Sequence, residues 1–221
     1  MGTKTEKAYE ALKEAILRCE IREGAFLSEP EMMKRYGIGR TPYREACNRL
    51  HHEGMLEVVP RRGFFVPKLS FQGVRELFEA RIVLEGVIAE LAAQRASEAE
   101  LKEMQRLIRL TASSKAEPEV IIKTNIDFHL LLGRMSRNRE LERLLTQLLE
   151  RTKRLNFIDM AYSGYVSEDF KSDHNPIYEA IRNRDPSAAR QAVVRDIGHA
   201  QSATMTTQPS MPATPKSGAA P

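Results

Sequence analysis

The chain has no tryptophan and two cysteines in 221 residues, and aromatic residues make up 6%. Cys19 and Cys47 are too far apart for a CxxC zinc pair and give no disulfide framework, which excludes a disulfide-stapled secreted scaffold. Both fall at helical core-type positions and read as small buried apolar side chains. No stretch approaches the roughly 18 consecutive apolar residues of a membrane span. Residues 1–7 are polar and lack the apolar region of a signal peptide. Glu6 stands where a myristoylation motif needs Ser or Thr. The expectation is a cytoplasmic protein with no membrane partner. Charge of one sign is also scarce: 34 basic against 30 acidic residues leave +4, too little to argue for a nucleic-acid partner by itself. Hydrophobic residues reach 42%, enough for a packed core, and the length allows two modest domains or one large one.

The basic residues are unevenly placed. Lys34, Arg35, Arg40, Arg44, Arg49, Arg61, Arg62 and Lys68 crowd residues 34–68 against Glu45, Glu53 and Glu57. Tyr9, Leu12, Ile16 and Ile21 predict a first helix over about 5–20. Ser28 and Glu31 have capping-box spacing and open a second helix over about 29–36, closed by Gly37. Gly39 begins a third that stops at Gly54, with Pro42 in its first turn, where a missing N–H does little harm. Arg40 and Arg44 are four residues apart, so a helix puts both guanidinium groups on one face. Asn48 continues that stripe, or is simply a solvated side chain. Tyr43, Cys47 and Leu50 form the apolar back. Short strands over 56–59 and 64–66 flank the turn Pro60-Arg61-Arg62-Gly63. Three helices and a basic-tipped hairpin make a winged helix-turn-helix, whose third helix suits a major groove and whose wing suits the backbone or minor groove. A winged helix that binds protein instead, with merely solvated arginines, is the alternative.

Residues 5–68 resemble the winged-helix DNA-binding domain of the GntR family of bacterial transcription regulators. The resemblance rests on Leu27-Ser28-Glu29, Tyr36-Gly37-Ile38, Arg40-Thr41-Pro42-Tyr43-Arg44-Glu45-Ala46, Leu50, Glu53-Gly54 and Pro60-Arg61-Arg62-Gly63-Phe64-Phe65-Val66. It implies that Arg40 and Arg44, with Thr41 and Asn48 on the same helix, contact double-stranded DNA. It makes Gly63 the wing-tip glycine beside Arg61 and Arg62. Pro30 departs from the family's frequent arginine, and Gly39 from its usual Ser or Thr; both departures remove phosphate support.

Residues 67–73 read as a linker around 69–73, and a second domain of about six helices over 74–201 follows. The fold class is therefore mainly α. The helices are predicted at about 71–96, from Ser97 through Ile108, 118–136, from Asn138 to about 160, 173–184, and from the Asp185-Pro186 start to near His199. Gly164 marks a loop. Residues 202–221, rich in Ser, Thr, Pro and Ala, read as a disordered tail. Asn125 and His129 share a helix face, and with His174 and His199 they offer four ligands from three helices. Imidazoles plus an oxygen suit a divalent Zn, Ni, Fe or Mn ion. The alternative makes the histidines polar core residues or anion ligands. Pro176 must sit in the first turn of its helix or kink it.

The run Asn125-Ile126-Asp127-Phe128-His129, with His174, Ile177, Ala180-Ile181, Asp185, Ala189 and His199, resembles the FCD ligand-binding domain of the FadR-like branch of the same family. The resemblance spans about 73–201. It implies a divalent metal held by Asn125, His129, His174 and His199, with a small organic acid completing its coordination. Asn125 stands where the family most often has Asp, so one negative charge is missing and weaker metal binding is expected. Arg81 aligns with a pocket arginine, a bidentate clamp for an effector carboxylate or a partner of Glu85. The chain is thus expected to be a homodimeric repressor on a pseudo-palindromic operator, released by a small organic acid, and not an enzyme. The rivals are a regulator whose effector needs no metal, and a metal-dependent enzyme fused to a DNA-binding module.

Overall fold

The computed structural model describes residues 3–68, 70–111, 117–163 and 173–207. It divides into two compact units, Met1–Ser70 and Phe71–Pro221. In the first, α1 (Lys4–Leu17), α2 (Glu29–Tyr36) and α3 (Arg40–His52) precede the antiparallel pair β1 (Glu57–Val59) and β2 (Gly63–Phe65). Leu12 and Ile16 of α1 meet Tyr43, Cys47 and Leu50 of α3 in the core. Gly37 ends α2 in the left-handed conformation, φ +62°, and the Ile38 N–H donates to the Met33 carbonyl. A Cβ at that φ is strained, so glycine fits the turn between α2 and α3. Phe26 bridges to Phe65 and its ring packs 5.0 Å from that of Phe65, which ties the wing to the helices.

Three expectations change here. The first helix stops at Leu17, because Cys19 takes φ +58°. Cys19 is accordingly half-buried outside the helix, whereas Cys47 is a core residue. Ser28 caps α2 through its carbonyl alone, which accepts from Met32 N; its hydroxyl makes no cap bond. Pro30 in the first turn has already removed one of the N–H groups that such a hydroxyl would serve.

The second unit is a bundle of α4 (Phe71–Arg95), α5 (Glu98–Thr111), α6 (Pro118–Met135), α7 (Arg139–Ser163), α8 (Asn175–Arg182) and α9 (Pro186–Thr207). Its caps are legible in the chain. Ser97 and Glu100 form a reciprocal capping box on α5. Asn138 Oδ1 accepts from Glu140 N and Leu141 N at the start of α7, and Asp185 Oδ1 from Ala188 N at the start of α9. Pro176 sits in the first turn of α8, where its missing N–H breaks nothing. α4 packs along α9 and also touches α6, α7 and α8. The core between them holds Leu77, Phe78, Ile88, Phe128, Leu132, Leu149, Val193 and Ile197. Helix α4 spans Phe71–Arg95, in line with the helix predicted over about 71–96, and so takes up 71–73 of the expected linker. Helix α9 continues to Thr207, six residues into the expected tail, because Thr204 is a buried position on its inner face. The rest of that tail, and Gly164, lie outside the described residues.

Candidate nucleic-acid interface and candidate metal centre

On α3 the side chains of Arg40 and Arg44 are 71% and 58% exposed, and Thr41 and Asn48 are exposed beside them. All four stand on the face opposite the buried Tyr43, Ala46, Cys47 and Leu50. One carboxylate holds both arginines: Glu29 Oε1 accepts from Arg40 Nε at 2.5 Å and Glu29 Oε2 from Arg44 Nε at 3.1 Å. These two hydrogen bonds, Arg40 first, hold the Glu29 carboxyl below the usual carboxylate range. Gly39 is the N-cap of α3 and offers no side-chain cap; its carbonyl accepts from Tyr43 N.

The wing turns at Val59, whose carbonyl accepts from Arg62 N at 3.0 Å. Pro60 is the second residue of the turn and Arg61 the third, with φ +64°. That is the type II pattern, in which the third place favours glycine. Gly63 follows at φ +92° as the first residue of β2. Pro60 and Arg61 therefore form the tip itself, with Gly63 just behind. Arg61 and Arg62 are exposed, and the Arg62 guanidinium stacks 3.9 Å from the Phe26 ring centroid.

In the helical unit, α4, α6, α7, α8 and α9 bring polar side chains into an apolar interior. Glu85 is fully buried on α4. Its Oε1 accepts from Arg81 Nε at 2.7 Å, and its Oε2 faces His129 Nδ1 at 2.5 Å. Burial alone would raise the Glu85 carboxyl; the charges of Arg81 and His129 outweigh it and hold the group well below the ordinary range. An ionised Glu85 can only accept, so His129 donates a hydrogen bond from Nδ1 and turns Nε2 towards Asp196. His129 Nε2 lies 3.5 Å from Asp196 Oδ2, and His174 Nε2 lies 3.7 Å from Asp196 Oδ1. His174, at the N-cap of α8, stacks flat on Phe128 with centroids 4.0 Å apart. Neither of its ring nitrogens has a hydrogen-bond partner among the described residues, although both are buried. Burial first, then the charge of His129, pushes this imidazole well below its ordinary range and keeps it neutral. A small cavity, open on one side, adjoins the group and is lined by Arg81, Asn125, His129, Thr152, Asn156 and Asp196.

Among the described residues, the candidate ligand cluster differs from the expected set in one member. Donor atoms of His129, His174 and Asp196 lie within 4.8 Å of one another, and Asn125 shares the cavity with His129 and Asp196. His199 is exposed and stands apart. The buried stripe of α9 runs through Ala189, Ala192, Val193 and Ile197; Asp196 and Ala200 on that side line the cavity, and His199, one residue before Ala200, is turned about 100° away.

Residues 4–66 match the family described as bacterial regulatory proteins, gntR family, and residues 76–199 match the FCD domain. The chain is a GntR-family transcription regulator with an FCD domain. The regulator is 30% identical over 195 residues to the HTH-type transcriptional regulator YdhC of Bacillus subtilis (strain 168), covering 86% of each chain. It is 24% identical over 194 residues to the HTH-type transcriptional repressor RspR of Escherichia coli (strain K12), covering 87% of this chain and 85% of that one. The solved structure of E. coli McbR/YncC shares its fold, with a TM-score of 0.78 at 23% identity over 94% of this chain and 99% of that one. These relatives and the family are regulators, not enzymes. No described helix of the regulator is long and apolar enough to cross a membrane.

The metal that such domains imply is compatible with the residues present. Two donors each about 2.0–2.2 Å from one ion lie roughly 3–3.6 Å apart, close to the observed 3.5 and 3.7 Å. The buried His174 ring nitrogens make no hydrogen bond among the described residues, and a metal ligand bond would satisfy one of them. Sequence reasoning missed Asp196, Glu29, Thr152 and Asn156. It named Arg81 with Glu85 as one of two alternatives; the pair is present, and Arg81 also lines the cavity.

Proposed function

We propose that the chain is a cytoplasmic, homodimeric repressor that binds a pseudo-palindromic operator and is released when a small organic acid enters the FCD cavity beside a bound divalent metal. The observation that carries the reading is the convergence of His129, His174 and the Asp196 carboxylate, two of which line a cavity that Arg81 also lines. Glu85 fixes the His129 ring and its proton from behind. The Asn125 amide, on the His129 face of α6, is the fourth candidate donor. A divalent ion there supplies positive charge and open coordination positions for a carboxylate. Two imidazoles, one carboxylate and an amide are a harder donor set than three imidazoles, and Mn or Fe suits it beside Zn and Ni. The name of RspR supports the sign of regulation. On DNA, Arg40, Thr41, Arg44 and Asn48 of α3 face the bases, and Arg61, Arg62 and Gly63 of the wing follow the backbone.

Elemental analysis of exhaustively dialysed protein tests the centre. About one metal per chain is expected in wild type and in His199→Ala, with loss in His174→Ala and Asp196→Ala. Full metal content in His174→Ala, or loss in His199→Ala alone, sinks the assignment. Fluorescence anisotropy on an operator duplex, with a panel of organic acids, tests release.

A further inference from the structure

We infer that the effector is a hydroxycarboxylic acid and that Asn156 on α7 recognises its hydroxyl group. The inference rests on the proposed function of the FCD cavity and goes beyond its metal and carboxylate. Asn156 is 4% exposed and lines the cavity together with Arg81, Asn125, His129 and Asp196. Its Oδ1 is buried and has no hydrogen-bond partner among the described residues. A buried carbonyl oxygen left unpaired costs free energy, which a ligand donor recovers on binding. Thr152, one turn earlier on the same face, also lines the cavity. Its hydroxyl donates to Leu148 O at 3.0 Å, so only lone pairs remain to face a ligand.

The α7 wall therefore asks for a donor, where the Arg81 and histidine side takes an anion. The Asn156 carboxamide also carries N–H donors beside its carbonyl. A hydroxyl both gives and takes a hydrogen bond and matches such a group; an ammonium only donates and a carboxylate only accepts. Arg81 and a divalent ion would repel an ammonium placed beside them.

Matched acids decide the matter on the metal-loaded full chain by calorimetry. The probes are lactate, propionate and alanine, with malate and succinate as a second pair. At least one hydroxy acid binds tenfold or more tightly than its deoxy partner, and alanine binds more weakly than lactate. In Asn156→Leu, and in the smaller Asn156→Ala, the hydroxy preference falls towards one while the deoxy affinity is kept, which also reports that the variants fold. Chelation by a 2-hydroxyl would produce the same preference in wild type but would survive in both variants, and that result overturns the assignment to Asn156. Equal binding of both members of each pair, or alanine above lactate, overturns the hydroxyl. If no acid binds at all, the organic-acid reading of the cavity fails first and this one with it.

Discussion

A carboxylate between two arginines proposed to face DNA is electrostatically unfavourable beside phosphates, so the position of Glu29 calls for a physical account. It engages the Nε edge of both Arg40 and Arg44 and leaves the terminal guanidinium nitrogens to face outward, the fork that pairs with guanine edges. The same negative charge opposes the sequence-independent attraction to any duplex. Glu29→Gln removes the charge and loosens the arginines. We expect affinity for a scrambled duplex to rise and operator affinity to fall or stay level, so that the ratio of the two drops several-fold in anisotropy titrations at one salt concentration. An unchanged ratio makes Glu29 a bystander. The arginines depress the Glu29 pKa, so the ion pairs are present above the ordinary carboxylate range and are lost as pH falls through the lowered value. Between about pH 6 and 8, well above the ordinary glutamate pKa, the effect of the substitution should not vary with pH.

Two helices carry the same Ser-x-x-Glu signal and use it differently. Ser97 and Glu100 satisfy one another's backbone N–H groups at α5, whereas Ser28 makes no side-chain cap bond at α2. Ser97→Ala should therefore cost about 1 kcal/mol of stability, and Ser28→Ala clearly less, in urea unfolding followed by far-UV circular dichroism; equal losses refute the distinction. Periodicity and caps made most elements legible in the chain: α2, α3, α5 and α7 start where their caps predict. The end of α1 was not legible, because Ile21 continues the apolar stripe beyond the left-handed Cys19 that breaks the helix. Site residues were legible where residue type alone speaks, as with His129 and His174. Asp196 was hidden because the reading followed histidines instead of the inner stripe of α9, on which it lies. Thr152 and Asn156 interrupt the apolar Leu145–Leu149–Leu155 side of α7, a signal available in the chain but ambiguous without neighbouring helices. The Glu29 clamp joins two helices, so only their packing reveals it.

At the scale of the whole molecule, the proposed DNA-reading surface belongs to one unit and the candidate metal and effector site to the other, so the proposed regulation is a coupling free energy between separate sites. If an acid weakens operator binding by some factor, the operator must weaken acid binding by the same factor. A typical coupling of about 1–3 kcal/mol corresponds to roughly 5- to 150-fold. Calorimetric titration of the tightest-binding acid into free protein and into the operator complex should return the factor that anisotropy gives for DNA with and without saturating acid. Chelated, metal-free protein separates the parts of the scheme. Its first unit holds none of the proposed ligands, so operator affinity should persist. The response to acid should weaken, because the carboxylate loses its strongest partner and retains Arg81. An acid that binds the cavity and leaves operator affinity unchanged would refute release by ligand, since a ligand shifts an equilibrium only by its differential affinity for the two states. Metal-free protein with an undiminished response would place the switch on Arg81 and the polar wall of α7 and leave the metal out of it.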